Sequence, residues 1–466
     1  MFKQVSSEDI EHLTSLVDVS NWHIANQEEF ERYTHDHTED FHFTPDLVLK
    51  PNNTEQVASI LSYCNHHRIP VTPRGAGTGL SGGALPIYNG IVLSLEKMNR
   101  ILDIDVQNLQ VCVEPGVINE ELQQELFKHQ LYYPPDPASK GSCFLGGNVA
   151  HASGGPKAVK YGTTRDYVLN LEVVLPNGEV IWTGANTLKY STGYNLTHLL
   201  IGSEGTLAVI TKIVFKVIAL PPFNMLMLAS FNAATDACKA VSALFRAGCN
   251  PSVCEFVEPI AFELSAQLTG LTFDQKPETK AYLLIEVDGK DLAVLEKDTE
   301  EIYEVLDQHH CTDMLLADSE EKKNYFWRLR RSIGEATKRD NIYKEEDTVV
   351  PRASLPELYE GVKEIAARYQ VRTVCYGHAG DGNLHVNILK DDLSDHFWNH
   401  EVKEAIREIF QLCKKLKGTI SGEHGIGYVQ KEYMPILFPE SQLQLMRNIK
   451  HAFDPNGILN PGKIWE

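Results

Sequence analysis

The chain has 466 residues, too many for one ordinary hydrophobic core, so two or three domains are expected. Forty-three Lys and Arg against sixty-three Asp and Glu give a formal net charge of −20, which argues against a general nucleic-acid-binding surface and leaves any anionic ligand to a local basic site. Nine cysteines without CxxC pairs or a ferredoxin-like run read as reduced, mostly buried thiols rather than iron–sulfur or zinc-ribbon ligands.

Residues 1–45 read as short polar helices and connections. Their opening, MFKQVSSEDIEHL, carries acidic groups and no apolar h-region, so no secretory signal is expected. No apolar run of about eighteen residues follows anywhere, so no transmembrane helix is expected. The compartment expected is the cytoplasm, with membrane association, if any, peripheral. From Thr54 to His66, Val57, Ile60, Leu61 and Cys64 fall at helical spacing behind an Asn53 or Thr54 cap. A short strand, Ile69 to Pro73, then runs into RGAGTGLSGG, Arg74 to Gly83. Glycines at this density expose backbone N–H groups and permit positive φ, which suits wrapping a phosphate or pyrophosphate. The run opens no helix, as a nicotinamide-type fingerprint would, and lacks the Gly-Lys-Ser/Thr ending of a Walker loop.

Beyond a turn at Asn89-Gly90 come a strand near Leu109 to Pro115 and a helix from Asn119 to His129. Three further small-residue loops follow: Gly141 to Gly155, Tyr161 to Asp166, and Ile201 to Leu207, with a hairpin predicted around Asn177-Gly178. So much glycine is costly on folding and makes sense as the walls of a long, extended ligand. From about Pro221 the pattern changes to strands at Leu226 to Phe231 and Ala281 to Val287, with helices over Ala233 to Ala247 and Asp291 to Gln308. A helix from about Asp318 to Asp340 carries Arg328, Arg330 and Arg331, charges that on most helices are a solvated face.

The stretch YGHAGDGNLHVNI, Tyr376 to Ile388, is the predicted chemical centre. Asp381-Gly382 favours a tight two-residue turn, which would set His378 directly opposite His385, with Cβ atoms roughly 4.5–5.5 Å apart. Asn387 would share their face. A long amphipathic helix through Val402, Ile406 and Phe410, stopping near Gly418, delivers Glu423 and His424. Two imidazoles and one carboxylate leave open coordination positions on a metal, and neighbouring residues on an extended chain face opposite ways, so His424 is left over as a base. A surface hairpin with two solvated histidines is the bland alternative.

Taken together, PRGAGTGLSGG, GSCFLGGNVAHASGG, YGTTRDYVLNLEVVLPNGEV and GSEGTLAVIT resemble the FAD-binding domain of the vanillyl-alcohol oxidase and p-cresol methylhydroxylase superfamily. With GHAGDGNLHVNI, SGEHGIG and FDPNGILNPGKIW, the chain resembles from about Pro45 onward the FAD-linked D-2-hydroxy-acid dehydrogenases, which include glycolate oxidase flavoprotein subunits, D-lactate dehydrogenases and D-2-hydroxyglutarate dehydrogenases. The resemblance implies an α+β fold: an FAD-binding domain over 1–220, a ferredoxin-like α+β substrate cap over 221–420, and a C-terminal segment, 421–466, that supplies Glu423 and His424 and returns to the FAD domain.

It further implies that Pro73, Arg74, Gly75, Ala76, Gly77, Thr78, Gly79, Leu80 and Ser81 hold the FAD pyrophosphate. Ser142, Gly146, Gly147, Asn148, Ser153, Gly154, Gly162, Asp166, Glu204, Gly205 and Ile210 would line the rest. Ala76-Gly77-Thr78 offers no histidine for covalent attachment, so the FAD is expected to be non-covalent. Arg330, Lys344 and Asn387 would meet the substrate; His378, His385 and Glu423 would hold a divalent metal, zinc by default with manganese or iron compatible.

The expected reaction is metal-assisted oxidation of a D-2-hydroxy acid to the 2-oxo acid, with His424 as base and hydride passing to the flavin. Gly334 stands where the hydroxyglutarate branch has a threonine, which favours D-lactate or glycolate over that substrate. Electrons would leave to a quinone, a cytochrome, an iron–sulfur subunit or an electron-transfer flavoprotein. Oligomeric state is left open, a homodimer included. Three other readings stand beside this one: a metal-dependent hydrolase, a redox-neutral flavoenzyme of the alkyl-glycerone-phosphate synthase kind, and a non-enzymatic flavin-binding subunit.

Overall fold

The protein was analysed as a computed structural model that describes residues 2–25, 29–38, 41–339 and 341–465. The chain forms two compact units: Met1–Gly154, Gly162–Leu220 and Glu423–Glu466 make the first, and Gly155–Tyr161 with Pro221–Gly422 make the second.

The first unit holds a four-stranded sheet in the order Trp22–His23, Leu47–Leu49, Ile91–Ser94, Val71–Arg74, its last three strands parallel. The helix Thr54–His67 covers it with Val57, Ile60, Leu61 and Cys64, all fully buried, as its spacing predicted. It starts where Asn53 Oδ1 accepts the Gln56 N–H at 2.9 Å and stops at Arg68 in the left-handed region, φ 55°. An antiparallel sheet of Ile101–Asp105, Gln110–Val113, Val209–Lys216, Val168–Val174 and Val180–Trp182 follows. The hairpin around Asn177-Gly178 closes its edge, Val174 opposite Val180. The C-terminal segment docks on the free edge of Val71–Arg74: Val71 N–H donates to Ile458 O at 2.8 Å and Asn460 N–H to Val71 O at 2.7 Å.

The second unit is built on a seven-stranded antiparallel sheet, ordered Cys311–Leu316, Phe223–Phe231, Ala281–Gly289, Val253–Val257, Arg372–Gly377, Asn383–Leu389, Tyr343–Val349. Directly opposed residues in such a sheet share a face. The register therefore lines up Glu255, Tyr376, Val374, His385, Asn387, Glu345 and Asp347 on one side. Phe262, Leu329 and Ile333, from the helices Pro259–Thr269, Glu320–Arg331 and Ile333–Arg339, pack in the apolar cluster on that same side.

Two sequence expectations are corrected here. The single helix predicted over Asp318 to Asp340 is two, Glu320–Arg331 and Ile333–Arg339, interrupted at Ser332; Asp340 lies outside the described residues. The hairpin at Asp381-Gly382 is not a two-residue turn. Ala379–Asp381 form a turn of 3₁₀ helix, Gly382 takes φ 76°, and the register puts Tyr376, not His378, opposite His385. Gly382 is required: a Cβ there would lie 2.0 Å from Val350 O.

Candidate active site

The polar face of the second unit's sheet carries the chemistry. Although His378 is not in register with His385, the 3₁₀ turn swings it back, and the two buried rings meet edge to face with centroids 5.2 Å apart at 86°. Glu255, fully buried on the neighbouring strand Val253–Val257, lies 2.8 Å from His378 Nδ1 through Oε1 and accepts from Arg330 Nε at 2.8 Å through Oε2. Burial raises a carboxyl's pKa, but Arg330 and His378 outweigh it and hold Glu255 below its ordinary value. A carboxylate on Nδ1 fixes the tautomer whose Nε2 lone pair suits a metal, the usual support of a metal-ligating histidine.

Asp347, also fully buried, sits near the other imidazole. Its Oδ1 accepts from Asn383 Nδ2 at 2.7 Å and lies 3.6 Å from His385 Nδ1. Its Oδ2 accepts the Gly422 N–H at 2.7 Å and the Ser421 hydroxyl at 3.0 Å. One carboxylate near His385 thus holds the segment whose next two residues in the chain are Glu423 and His424. Asn387 completes the face, fully buried with neither amide atom meeting a hydrogen-bond partner among the described residues, a costly state that a polar ligand relieves. Burial, reinforced by Glu345, pushes the Tyr376 hydroxyl well above its ordinary range, so it stays protonated and donates to Glu345 Oε1 at 3.3 Å.

Lys344 is a correction. Strand alternation turns it to the face opposite Glu345 and Asn387, where its ammonium lies 5.0 Å from the Trp398 ring centroid. Glu345 takes the place a basic group was expected to hold. Arg330 reaches the polar face, but its Nε and one terminal nitrogen are engaged by Glu255. Neither Glu255 nor Asp347 was picked out from sequence, although a lone carboxylate inside the apolar strand Val-Cys-Glu-Phe-Val is itself a signal.

In the first unit the predicted glycine loops converge. An added Cβ at Gly75 would touch Gly147 Cα at 3.7 Å, and one at Gly205 would touch Pro73 at 3.4 Å. Gly147 itself faces open space, whereas Gly146 packs so closely that a Cβ would lie 2.5 Å from Pro115. Arg74 folds over Gly77 and donates through Nη2 to Arg32 O at 2.8 Å. Its Nη1 and the Ser81 hydroxyl are buried with no hydrogen-bond partner among the described residues. Two orphaned donors beside an open glycine cradle fit phosphate oxygens.

Several of the other residues implied by resemblance make contacts within the unit. Asn148 Nδ2 donates to Asn119 Oδ1 at 3.4 Å, Ser153 O accepts the Thr164 N–H at 3.0 Å, and Ser142 Oγ donates to Ser139 O at 3.2 Å. Asp166 caps the short helix Thr164–Tyr167 by accepting the Thr163 N–H at 2.7 Å, close against Gly162. Ile210 is a buried strand residue opposite Val173. Glu204, at φ 52°, accepts the N–H groups of Ile426 and Gly427 at 2.8 and 2.7 Å. His151 Nδ1 lies 3.0 Å from His424 O. These two side chains pin the backbone that carries Glu423 and His424, and a Cβ at Gly154 would lie 2.7 Å from Glu423 Oε2.

Residues 220–464 match the family described as FAD linked oxidases, C-terminal domain, and residues 45–184 match the family described as FAD binding domain. The chain belongs to the FAD-linked oxidases. This oxidoreductase is 38% identical over 437 residues to the glycolate oxidase subunit GlcD of Bacillus subtilis, covering 93% of this chain and 92% of the relative. It is also 38% identical over 425 residues to a D-lactate dehydrogenase of Anaerostipes hadrus, covering 90% and 89%. The solved structure of p-cresol methylhydroxylase with substrate bound superposes with a TM-score of 0.82 at 19% identity, over 100% of this chain and 98% of that one. An alkyldihydroxyacetonephosphate synthase superposes with a TM-score of 0.74 at 19% identity, over 99% of this chain and 85% of that one. At that identity both show the fold alone. The FAD-linked oxidase therefore has the α+β fold of the vanillyl-alcohol oxidase and p-cresol methylhydroxylase type, and it binds FAD.

Proposed function

We propose that this oxidase converts a D-2-hydroxy acid, D-lactate or glycolate in preference to longer acids, into the 2-oxo acid. The observation that carries the reading is the buried polar face of the second unit's sheet, where His378 and His385 meet beside the unpartnered amide of Asn387. The names of the relatives from Bacillus subtilis and Anaerostipes hadrus agree with it. FAD, bound non-covalently, supplies the hydride acceptor. His378, His385 and Glu423 would hold a divalent metal, zinc by default, whose chemistry there is that of a Lewis acid toward hydroxyl and carboxylate oxygens.

The chain's own groups do the rest. Glu255 orients the His378 imidazole, Asp347 places a negative charge 3.6 Å from His385 Nδ1, and Asp347 also sets where the segment bearing Glu423 and His424 leaves the sheet. His424 takes the proton of the substrate hydroxyl, its backbone held by His151 and by Glu204 two and three residues on. Asn387 and the remaining terminal nitrogen of Arg330 orient the carboxylate. Gly334, whose added Cβ would lie 3.5 Å from the Tyr376 hydroxyl, offers no hydroxyl to bind a second carboxylate, which favours a small monoacid over 2-hydroxyglutarate.

The test is anaerobic mixing of the purified flavoprotein with a panel of D- and L-2-hydroxy acids. Bleaching of the flavin by D-lactate or glycolate, and not by L-lactate, is the expected result. An oxidised flavin with every acid would sink the reading and point to redox-neutral chemistry. Faster bleaching by D-2-hydroxyglutarate would overturn the substrate assignment alone.

A further inference from the structure

A second set of metal-ligand side chains lies in the first unit, in a stretch the proposed oxidation does not use. The 3₁₀ turn Glu31–Tyr33 leads into Thr34, whose hydroxyl donates to Glu31 O at 2.8 Å and lies 3.2 Å from Glu31 Oε1. Phe43 N–H donates to Thr34 O at 2.9 Å, and the residues next to that pair, His42 and His35, lie beside each other. The two rings lie 5.3 Å apart by centroid, and His42 Nδ1 is 3.7 Å from Glu31 Oε1. One donor atom from each of Glu31, His35 and His42 lies within 4.8 Å of the others. Ligands about 2.0–2.1 Å from a tetrahedral zinc are about 3.4 Å from one another, so small side-chain rotations suffice.

We propose that Glu31, His35 and His42 form a surface site for a borderline divalent cation of the zinc, nickel and cobalt class. Two neutral imidazoles and one carboxylate match that class better than magnesium or calcium, which prefer all-oxygen shells. Exposed His42 and Glu31 leave the remaining positions to water. The role is mechanical rather than catalytic. His37 N–H donates to Gly79 O at 3.2 Å, inside the first glycine loop, and Asp36 is buried between the two histidines in sequence. A cation that cross-links Glu31, His35 and His42 therefore braces the backbone that supports that loop.

The experiment is calorimetric titration of the tag-free, FAD-loaded protein with Ni²⁺ and separately with Zn²⁺. Wild type is compared with the His35→Ala/His42→Ala variant, with Glu31→Gln, and with His378→Ala/His385→Ala. The expected result is one equivalent lost in the first variant, a tenfold or greater weakening of that equivalent in Glu31→Gln, and its retention in the third. Flavin reduction by the hydroxy acid should be unchanged in the first two, so failure here is separable from failure of the proposed oxidation. An unaltered number of equivalents and affinity in His35→Ala/His42→Ala would overturn the proposal.

Discussion

Glu255 is the residue on which most of the second unit's polar face turns. Removing its charge leaves Arg330 buried without its counter-charge and His378 without its tautomer-setting partner, and breaking a buried pair costs on the order of 3–5 kcal/mol. Glu255→Gln is expected to lower metal affinity about 10–100-fold while FAD content stays near wild type; metal analysis after dialysis against buffered zinc checks this, and unchanged affinity would remove the residue from that role. Lys463 makes a prediction in the first unit. Burial pulls its ammonium down from 10.5 to about 7, with Asp36 and Glu204 opposing, and Nζ donates to Leu85 O at 2.6 Å. Between about pH 7 and 10.5 the unfolded chain holds a proton that the folded chain has lost, so this group makes stability rise with pH across that window. Denaturant titrations at pH 7, 8.5 and 10 should show a smaller rise, or a steeper fall, in Lys463→Met than in wild type. Parallel curves would contradict the assignment.

At the scale of elements, sequence periodicity and turn chemistry located most of what matters. The helix behind Asn53, the hairpin at Asn177-Gly178 and the strands around His378 and His385 all follow from local pattern. Registers and faces were harder to read. Asp381-Gly382 carries the signal of a two-residue turn, yet the chain spends Ala379–Asp381 on 3₁₀ helix, because Gly382 must pass against Val350 O and no side chain fits there. That moves the register by two residues and keeps both histidines together by another route. Lys344 and Glu345 differ by one position, and one position on a strand exchanges faces. Glu255 stands out locally as a lone carboxylate in an apolar strand, but its partners were illegible: they lie 75 and 123 residues away, and nothing local names them. The glycine cradle can be tested directly. Gly147→Leu starts a side chain where an added Cβ meets nothing within 4 Å, so the variant should fold with unchanged circular dichroism and emerge without FAD. Wild-type flavin content in that variant would remove the cradle.

Across the whole chain, the two units differ in chemistry: the first is rich in glycine loops, with Arg74 Nη1 and the Ser81 hydroxyl buried and unpartnered among the described residues, and the second has a sheet face that gathers imidazoles, carboxylates and an amide. Chain connectivity joins them at Gly422, where Asp347 holds the last backbone N–H before Glu423. Among the described residues no helix is long and apolar enough to cross a membrane. His424→Ala is expected to retain FAD and the fold but to reduce its flavin at least a hundredfold more slowly with the best acid, in keeping with the usual worth of a general base. The most direct measurement mixes wild type, His385→Ala and His424→Ala, matched for FAD content, anaerobically with D-lactate or glycolate while flavin absorbance is followed through a single turnover. The account predicts rapid bleaching in wild type, and in both variants a flavin still oxidised on that timescale; bleaching at the wild-type rate in His385→Ala or His424→Ala would contradict it.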